Sequence, residues 1–357
     1  MITVSLRKSI RNMTDTEKDD LINALLILKH ERIGPDGLST YDRYVVQHNK
    51  AMIQPSLWSP GLDSTLLGRY RFTSQRNAAH RSATFLPWHR EFLRRLESDI
   101  KRVLGDSDFG LPYWDWEHDG ALSQDDQRDT SNRDIWKLVG GDGIPDLANM
   151  VTTGPFGFDP NRLSDSSVFN DNTLWLTVDD RGRQTGFLQR ALGREEMPVY
   201  NLITGDLQRD TSGQTLRTPI LLPKQSDIDL ALNIPDYDRP NWDENPNLIT
   251  SFRNVLEGWA FGPFLHNRVH MWVGGSMGPG TSPNDPVFFL HHCNVDRIWT
   301  LWQKKHTTSA YAPSINGPTG QNFNDAMYPW DGTNGNQIVT PSDVWDLDDV
   351  EYVEPLN

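Results

Sequence analysis

The stretch LHNRVHMWVGGSMGPGTSPNDPVFFLHHCNVDRIWTLWQ, residues 265–303, places four histidines in two segments of helical periodicity joined by a turn rich in Gly, Pro and Ser. His266 and His270 are four apart, so on a helix both imidazoles leave the same face and can reach one ion. His291 and His292 are adjacent and point about 100° apart on a helix, so one of them faces the metal and the other turns aside. An i, i+4 histidine pair alone does not establish a metal site, because such pairs also arise by chance. The surrounding residues narrow the choice. Zinc-protease helices carry a Glu directly after the first histidine, whereas this chain has Asn267. The single cysteine, Cys293, excludes a thiolate-rich site. With imidazole as the abundant donor, ligand preference and the affinity order favour copper, in either oxidation state.

Two copper ions would need about six histidines, and the N-terminal half contains the other three. STYDRYVVQHNKAM, residues 39–52, reads as a helix capped by Ser39 or Thr40, with Tyr41, Tyr44, Val45, His48 and Met52 on one stripe. In HRSATFLPWHREFL, residues 80–93, His80 and His89 would fall on opposite faces of one continuous helix. Pro87 fits a first-turn position, so the helix starts near it and His80 comes from the preceding loop. The expected donors are therefore His48, His80 and His89 for one ion, and His266, His270 and one of His291 or His292 for the other.

The rest of the chain reads as scaffold. Residues 15–30 open with acidic residues before an apolar helical repeat. Residues 118–250 are mostly polar, with turn signals and few clean periodicities, which predicts long loops with short elements. Because the histidines lie on both sides of this region and no linker separates the halves, residues 1–357 are expected to form a single domain. Residues 248–275 are helical in pattern with an interruption at Gly262-Pro263. Asn284 or Asp285 is the candidate cap of the last long helix, and Tyr328, Trp330, Trp345 and Tyr352 anchor the tail. A net charge of −14 argues against nucleic acid and anionic lipid as partners. No segment reaches the roughly 20 apolar residues that span a bilayer, and the opening residues lack a signal peptide's apolar core. The expected location is cytoplasmic, with a secreted mature form left open. His30, His118 and His306 read as surface residues.

The segments HRSATFLPWHREFL and LHNRVHMWVGGSMGPGTSPNDPVFFLHHCNVDRIWTLWQ, with MYPWDG at 327–332, resemble the signatures of the tyrosinase family of type 3 copper proteins, bacterial members above all. The resemblance implies a mainly α fold, a four-helix bundle holding a dinuclear copper site with long loops and few short strands. It implies two copper ions, the first held by His48, His80 and His89 and the second by His266, His270 and His292, with His291 behind them. The implied activity is ortho-hydroxylation of monophenols and oxidation of o-diphenols to o-quinones with dioxygen. Catechol oxidase, o-aminophenol oxidase and a hemocyanin-like oxygen carrier are the alternatives.

In similar bacterial enzymes the residues matching Glu257 and Asn267 hold a water that takes the phenol proton. The bland alternative is that Glu257 pairs with Arg253 or Arg268 and Asn267 bonds backbone. Met271 and the glycine-rich loop through Gly280 are expected to line the substrate entrance. Some relatives tether the second histidine through a cysteine thioether, but no cysteine lies between His48 and His80, so His80 is expected to be less rigidly held. A homodimer and a copper-delivery helper stay open at this level.

Overall fold

The computed structural model describes residues 4–32, 36–53, 57–58, 77–159, 174–201, 206–242, 251–259 and 264–355. The expected Gly262-Pro263 interruption lies outside them.

Helix α1, Asp15–His30, starts in a full capping box: Thr14 accepts from the Glu17 N–H and the Glu17 side chain accepts from Thr14. It buries Leu21, Ala24, Leu25 and Leu28, spaced as one helical stripe. Helix α2, Thr40–Ile53, is capped by Ser39, whose Oγ accepts from the Asp42 N–H at 2.9 Å. Its stripe is as expected for Tyr41, Tyr44, Val45 and His48, whereas Met52 is only half-buried. Helix α3, Phe85–Leu104, carries Pro87 in its first turn and stops at Gly105, whose φ of 67° is the left-handed stop that glycine adopts without penalty.

Between α3 and residue 251 the described residues form short pieces. Helical turns occupy Trp116–Gly120, Gln124–Arg128 and Asp134–Val139, two-stranded hairpins pair Leu176–Val178 with Gln184–Phe187 and Glu196–Pro198 with Arg217–Pro219, and Gln225–Leu232 is helical. Helix α4, Phe252–Glu257, ends at Gly258. There a φ of 103° and the approach of the Phe264 carbonyl, 2.2 Å from where a Cβ would stand, leave no room for a side chain. Helices α5, Leu265–Val273, and α6, Val287–Lys305, complete the core. The cap of α6 is Pro286 and neither expected residue, although Asp285 just before it serves the first turn, its Oδ1 accepting from the Val287 N–H at 3.1 Å. Asn284 instead bonds the Val178 main chain.

Helices α2, α3, α5 and α6 carry the histidine faces inward, and α1 packs outside α2 and α3. The fold is mainly helical with only short strands, as expected. The parallel pair Ser5–Arg7 and Val350–Tyr352 brings the beginning and end of the chain together over α3 and α6. Buried ion pairs tie these layers. Arg190 makes a two-pronged pair with Asp285, at 2.7 and 2.8 Å, and also reaches the carbonyls of Gly140 and Gly141, joining the middle loops to the start of α6. The tail aromatics pack as anchors: Trp330 lies against Trp88, and Trp345 against Trp299 and Tyr237. Cys293 is fully buried and donates to the Leu111 carbonyl, away from the histidine faces. No helix among the described residues is long and apolar enough to cross a membrane.

Candidate metal centre

Seven histidines converge at the middle of the bundle in two groups. His48 from α2, His80 from the loop before α3 and His89 from α3 form one; His266 and His270 from α5 with His291 and His292 from α6 form the other. Within each group, one ring nitrogen per residue lies within 4.8 Å of the others. His292 Nε2 sits 3.3 Å from His266 Nε2 and 3.4 Å from His270 Nε2. The groups abut, since the His89 and His292 rings stack at 4.1 Å with 8° between planes.

The adjacent pair stays together in space although the helix turns its two rings apart. His291 belongs to the same group, its ring lying flat against His266 at 5.1 Å and 19°. The donors on α5 extend far enough around α6 to meet both rings. His292 makes the closer nitrogen contacts, whereas both nitrogens of His291 lack a hydrogen-bond partner.

Four rings are aimed by main-chain carbonyls at Nδ1: His48 by Gly280 at 2.7 Å, His89 by Phe85 at 2.7 Å, His266 by Glu257 at 3.0 Å and His270 by Met277 at 2.7 Å. A carbonyl there requires Nδ1–H, which leaves Nε2 as a free lone pair. Nε2 of His48 and His89 are buried without a partner. Buried polar atoms without partners cost free energy, so a cluster of inward nitrogens fits cations that would bind them. Burial holds the His48 imidazole down to about 3 and His270 to about 4, and the other five lie well below the ordinary histidine range. The cluster is therefore neutral at pH 7, the protonation state a copper ligand needs.

Sequence reasoning passed over the walls of this chamber. Phe288 packs against His292 at 4.2 Å and His48 at 4.9 Å, and Phe85 against His266 at 4.8 Å and His89 at 4.9 Å. Only their position on the histidine-bearing faces could have flagged them. The aiming carbonyls had no signal at all, because every residue type has one.

The remaining expected residues lie around the second group. Glu257 is fully buried. Its Oε2 accepts from Arg253 at 3.0 Å, and its Oε1 accepts the Arg81 N–H at 2.5 Å. The Arg253 pairing anticipated as the bland alternative is therefore present, while Arg268 pairs with Asp227 instead. Asn267 Oδ1 is 3.1 Å from His266 Nδ1, and its amide donates to the Gly258 carbonyl at 3.1 Å. Met271 is half-buried on the outer part of α5. Gly280, besides its place in the loop, supplies the carbonyl that aims His48, and a Cβ there would stand 2.5 Å from Asn49 Oδ1. Of the three histidines read as surface residues, only His118 is exposed. His30 and His306 are half-buried, because the ends of α1 and α6 are covered by neighbouring segments, and His306 Nε2 lies 2.8 Å from the Leu232 carbonyl.

A helical core with two neighbouring all-imidazole groups defines the class: a protein built to hold a pair of metal ions. Residues 38–305 match the family description "Common central domain of tyrosinase". The chain is 32% identical to a tyrosinase of Streptomyces lincolnensis, covering 92% of this chain and 93% of that one. It is 30% identical to grixazone synthase of Streptomyces griseus, covering 96% and 97%. In fold it resembles a mutant polyphenol oxidase from Thermothelomyces thermophila, with a TM-score of 0.55, 18% identity and coverage of 98% and 89%. The chain belongs to the tyrosinase family. It is a copper oxidoreductase of the tyrosinase and polyphenol oxidase kind, with two copper ions, acting on phenolic substrates with dioxygen.

Proposed function

We propose that this enzyme ortho-hydroxylates monophenols and oxidises o-diphenols to o-quinones, with His48, His80 and His89 holding one copper ion and His266, His270 and His292 the other. The observation that carries this reading is the uneven cover of the site. Every other proposed donor is buried, but His270 is only partly covered, beside the likewise partly covered Asn267 and Met271 on α5. On this proposal a flat ring comes in along that side, by Met271 and the loop through Gly280. When bound, the copper pair supplies the two-electron exchange with dioxygen.

The chain's own groups orient the ring and manage the proton. A phenol with a pKa near roughly 10 must lose its proton before its ring is attacked at neutral pH. Glu257, through its main-chain carbonyl, and Asn267 stand beside His266, and the Glu257 carboxylate takes that proton through a water on this proposal. In hydroxylation one atom of dioxygen enters the ring and the other leaves as water, giving one o-quinone, whereas two o-diphenols each give up two electrons and two protons to turn one dioxygen into two waters.

A second reading, oxidation of diphenols or o-aminophenols alone, is favoured by the engagement of Glu257 with Arg253 and Arg81 and by the 30% identity to grixazone synthase. Assays of the copper-loaded enzyme on L-tyrosine, L-DOPA and o-aminophenol side by side separate the two. Under the first reading Glu257→Gln lowers kcat for L-tyrosine by about 10²-fold or more, the usual reach of one proton-transfer group, and that for L-DOPA by less than tenfold. Equal losses would overturn it.

A further inference from the structure

We propose that the Glu257 carboxylate is a positioning residue for His80, acting as a strut that carries the first copper site from the segment of the second. The inference rests on His80 being a donor of the first ion.

Four donors have Nδ1 bonded to a main-chain carbonyl, whereas His80 Nδ1 has no partner. The ring of His80 is therefore placed by its backbone together with packing against His48, His89 and Phe85. Asn77 secures that backbone on one side: its Oδ1 accepts from the N–H groups of Ala79 at 3.0 Å and His80 at 2.5 Å. On the other side stands Arg81, a non-glycine residue with φ of 58°, in the left-handed region that a Cβ disfavours. Such a conformation persists only when its surroundings enforce it. One contact that holds it is the Arg81 N–H donating to Glu257 Oε1 at 2.5 Å, across 176 positions of chain, while the guanidinium lies over the Trp259 ring at 4.7 Å. Glu257 is itself immobilised. Arg253 holds its Oε2 at 3.0 Å and is clamped from behind by Asp238 at 2.9 and 3.0 Å, which also accepts from Ser251 at 2.7 Å.

The same residue thus serves both groups. Its carboxylate fixes the turn that presents His80, and its main-chain carbonyl aims His266 at 3.0 Å. In a chain with no cysteine between His48 and His80 to tether the ring covalently, this polar brace does the holding.

The strut and the proton acceptor respond differently to substitution. Glu257→Gln keeps an oxygen for the Arg81 N–H, and the enzyme retains both ions. Glu257→Ala removes the acceptor, and retention of one ion against EDTA weakens by about 10–100-fold, the range for losing a group that orients a ligand. Anomalous scattering at the copper edge then finds the surviving ion among His266, His270 and His292. Adding Arg81→Gly to Glu257→Ala restores retention toward two ions per chain, because glycine adopts the required φ without a brace.

Glu257→Asp keeps a charge for Arg253 while withdrawing the carboxylate by one methylene, so it serves if the alanine variant does not fold. It too is expected to release the first ion preferentially. Release of both ions alike from the alanine or aspartate variant would mean general loosening and overturn the proposal, as would retention of both. A His80→Ala control separates the two claims: if it keeps two ions, the ligand assignment fails; if it loses one while Glu257→Ala and Glu257→Asp keep two, the strut alone fails.

Discussion

Replacing His292 with alanine is expected to leave about one copper ion per chain and to reduce o-quinone formation at least 10³-fold. Its Nε2 lies 3.3 and 3.4 Å from those of His266 and His270, closer than any other nitrogen contact among the seven rings that the structure records. Removing one imidazole from a three-imidazole ion leaves two donors and an opening, and both ions are needed for a two-electron exchange with dioxygen. His291→Ala is the control that gives the experiment its meaning. That ring lies flat on His266 at 5.1 Å, and its loss removes support and packing from a neighbouring donor. Its expected cost is about 10–100-fold in affinity for one ion, with both ions still bound in excess copper. Copper content by elemental analysis and o-quinone absorbance measure the two effects. Should His291→Ala lose the ion and His292→Ala keep it, the assignment of the adjacent pair is reversed.

The second large effect concerns the seam between α3 and α6. Asp296 is buried and takes two arginines at once: Arg90 Nε at 2.6 Å on Oδ1, and Arg7 at 3.1 Å on Oδ2, where the Tyr352 hydroxyl also donates at 2.6 Å. Arg90 directly follows His89, and Asp296 lies four residues after His292, so this carboxylate couples the two ligand helices to the terminal strands. Asp296→Ala strands the buried Arg90 charge with only neutral partners from Val344, Trp345, Thr300 and Gln303. Breaking a buried pair by removing one partner costs about 3–5 kcal/mol, because the remaining charge stays desolvated and unpaired. Urea unfolding of the two proteins measures it, and a loss under about 1 kcal/mol would show that the arginines are satisfied without Asp296. Arg7 is expected to suffer less, since Glu97 still holds its Nε at 2.8 Å.

Much of the site was legible before the fold was known, and the reason is local. Periodicity places His266 and His270 on one face because a helix repeats at 3.6 residues, and Pro87 separates His80 from His89 because proline belongs to a first turn. The presence of one cysteine and the residue after His266 narrowed the metal chemistry without any coordinates. Where local rules met a crowded centre they were incomplete: a turn of about 100° along the helix sets His291 apart from His292, yet its ring still lies flat against His266 among the second group. His30 and His306, read as surface residues from their place at helix ends, are covered by segments remote in sequence.

By itself, then, the sequence determined the helices, the inward histidines and the kind of metal they suit, all of which follow from side-chain chemistry and short-range spacing. Only the tertiary structure decided what orients those histidines. The carbonyls of Gly280, Met277 and Glu257, the ring of Phe288, and the Glu257 carboxylate on the Arg81 N–H act through backbone groups and through approaches between distant segments. A carbonyl has no identity in a sequence, and a contact across 176 positions exists only once the chain has folded around it.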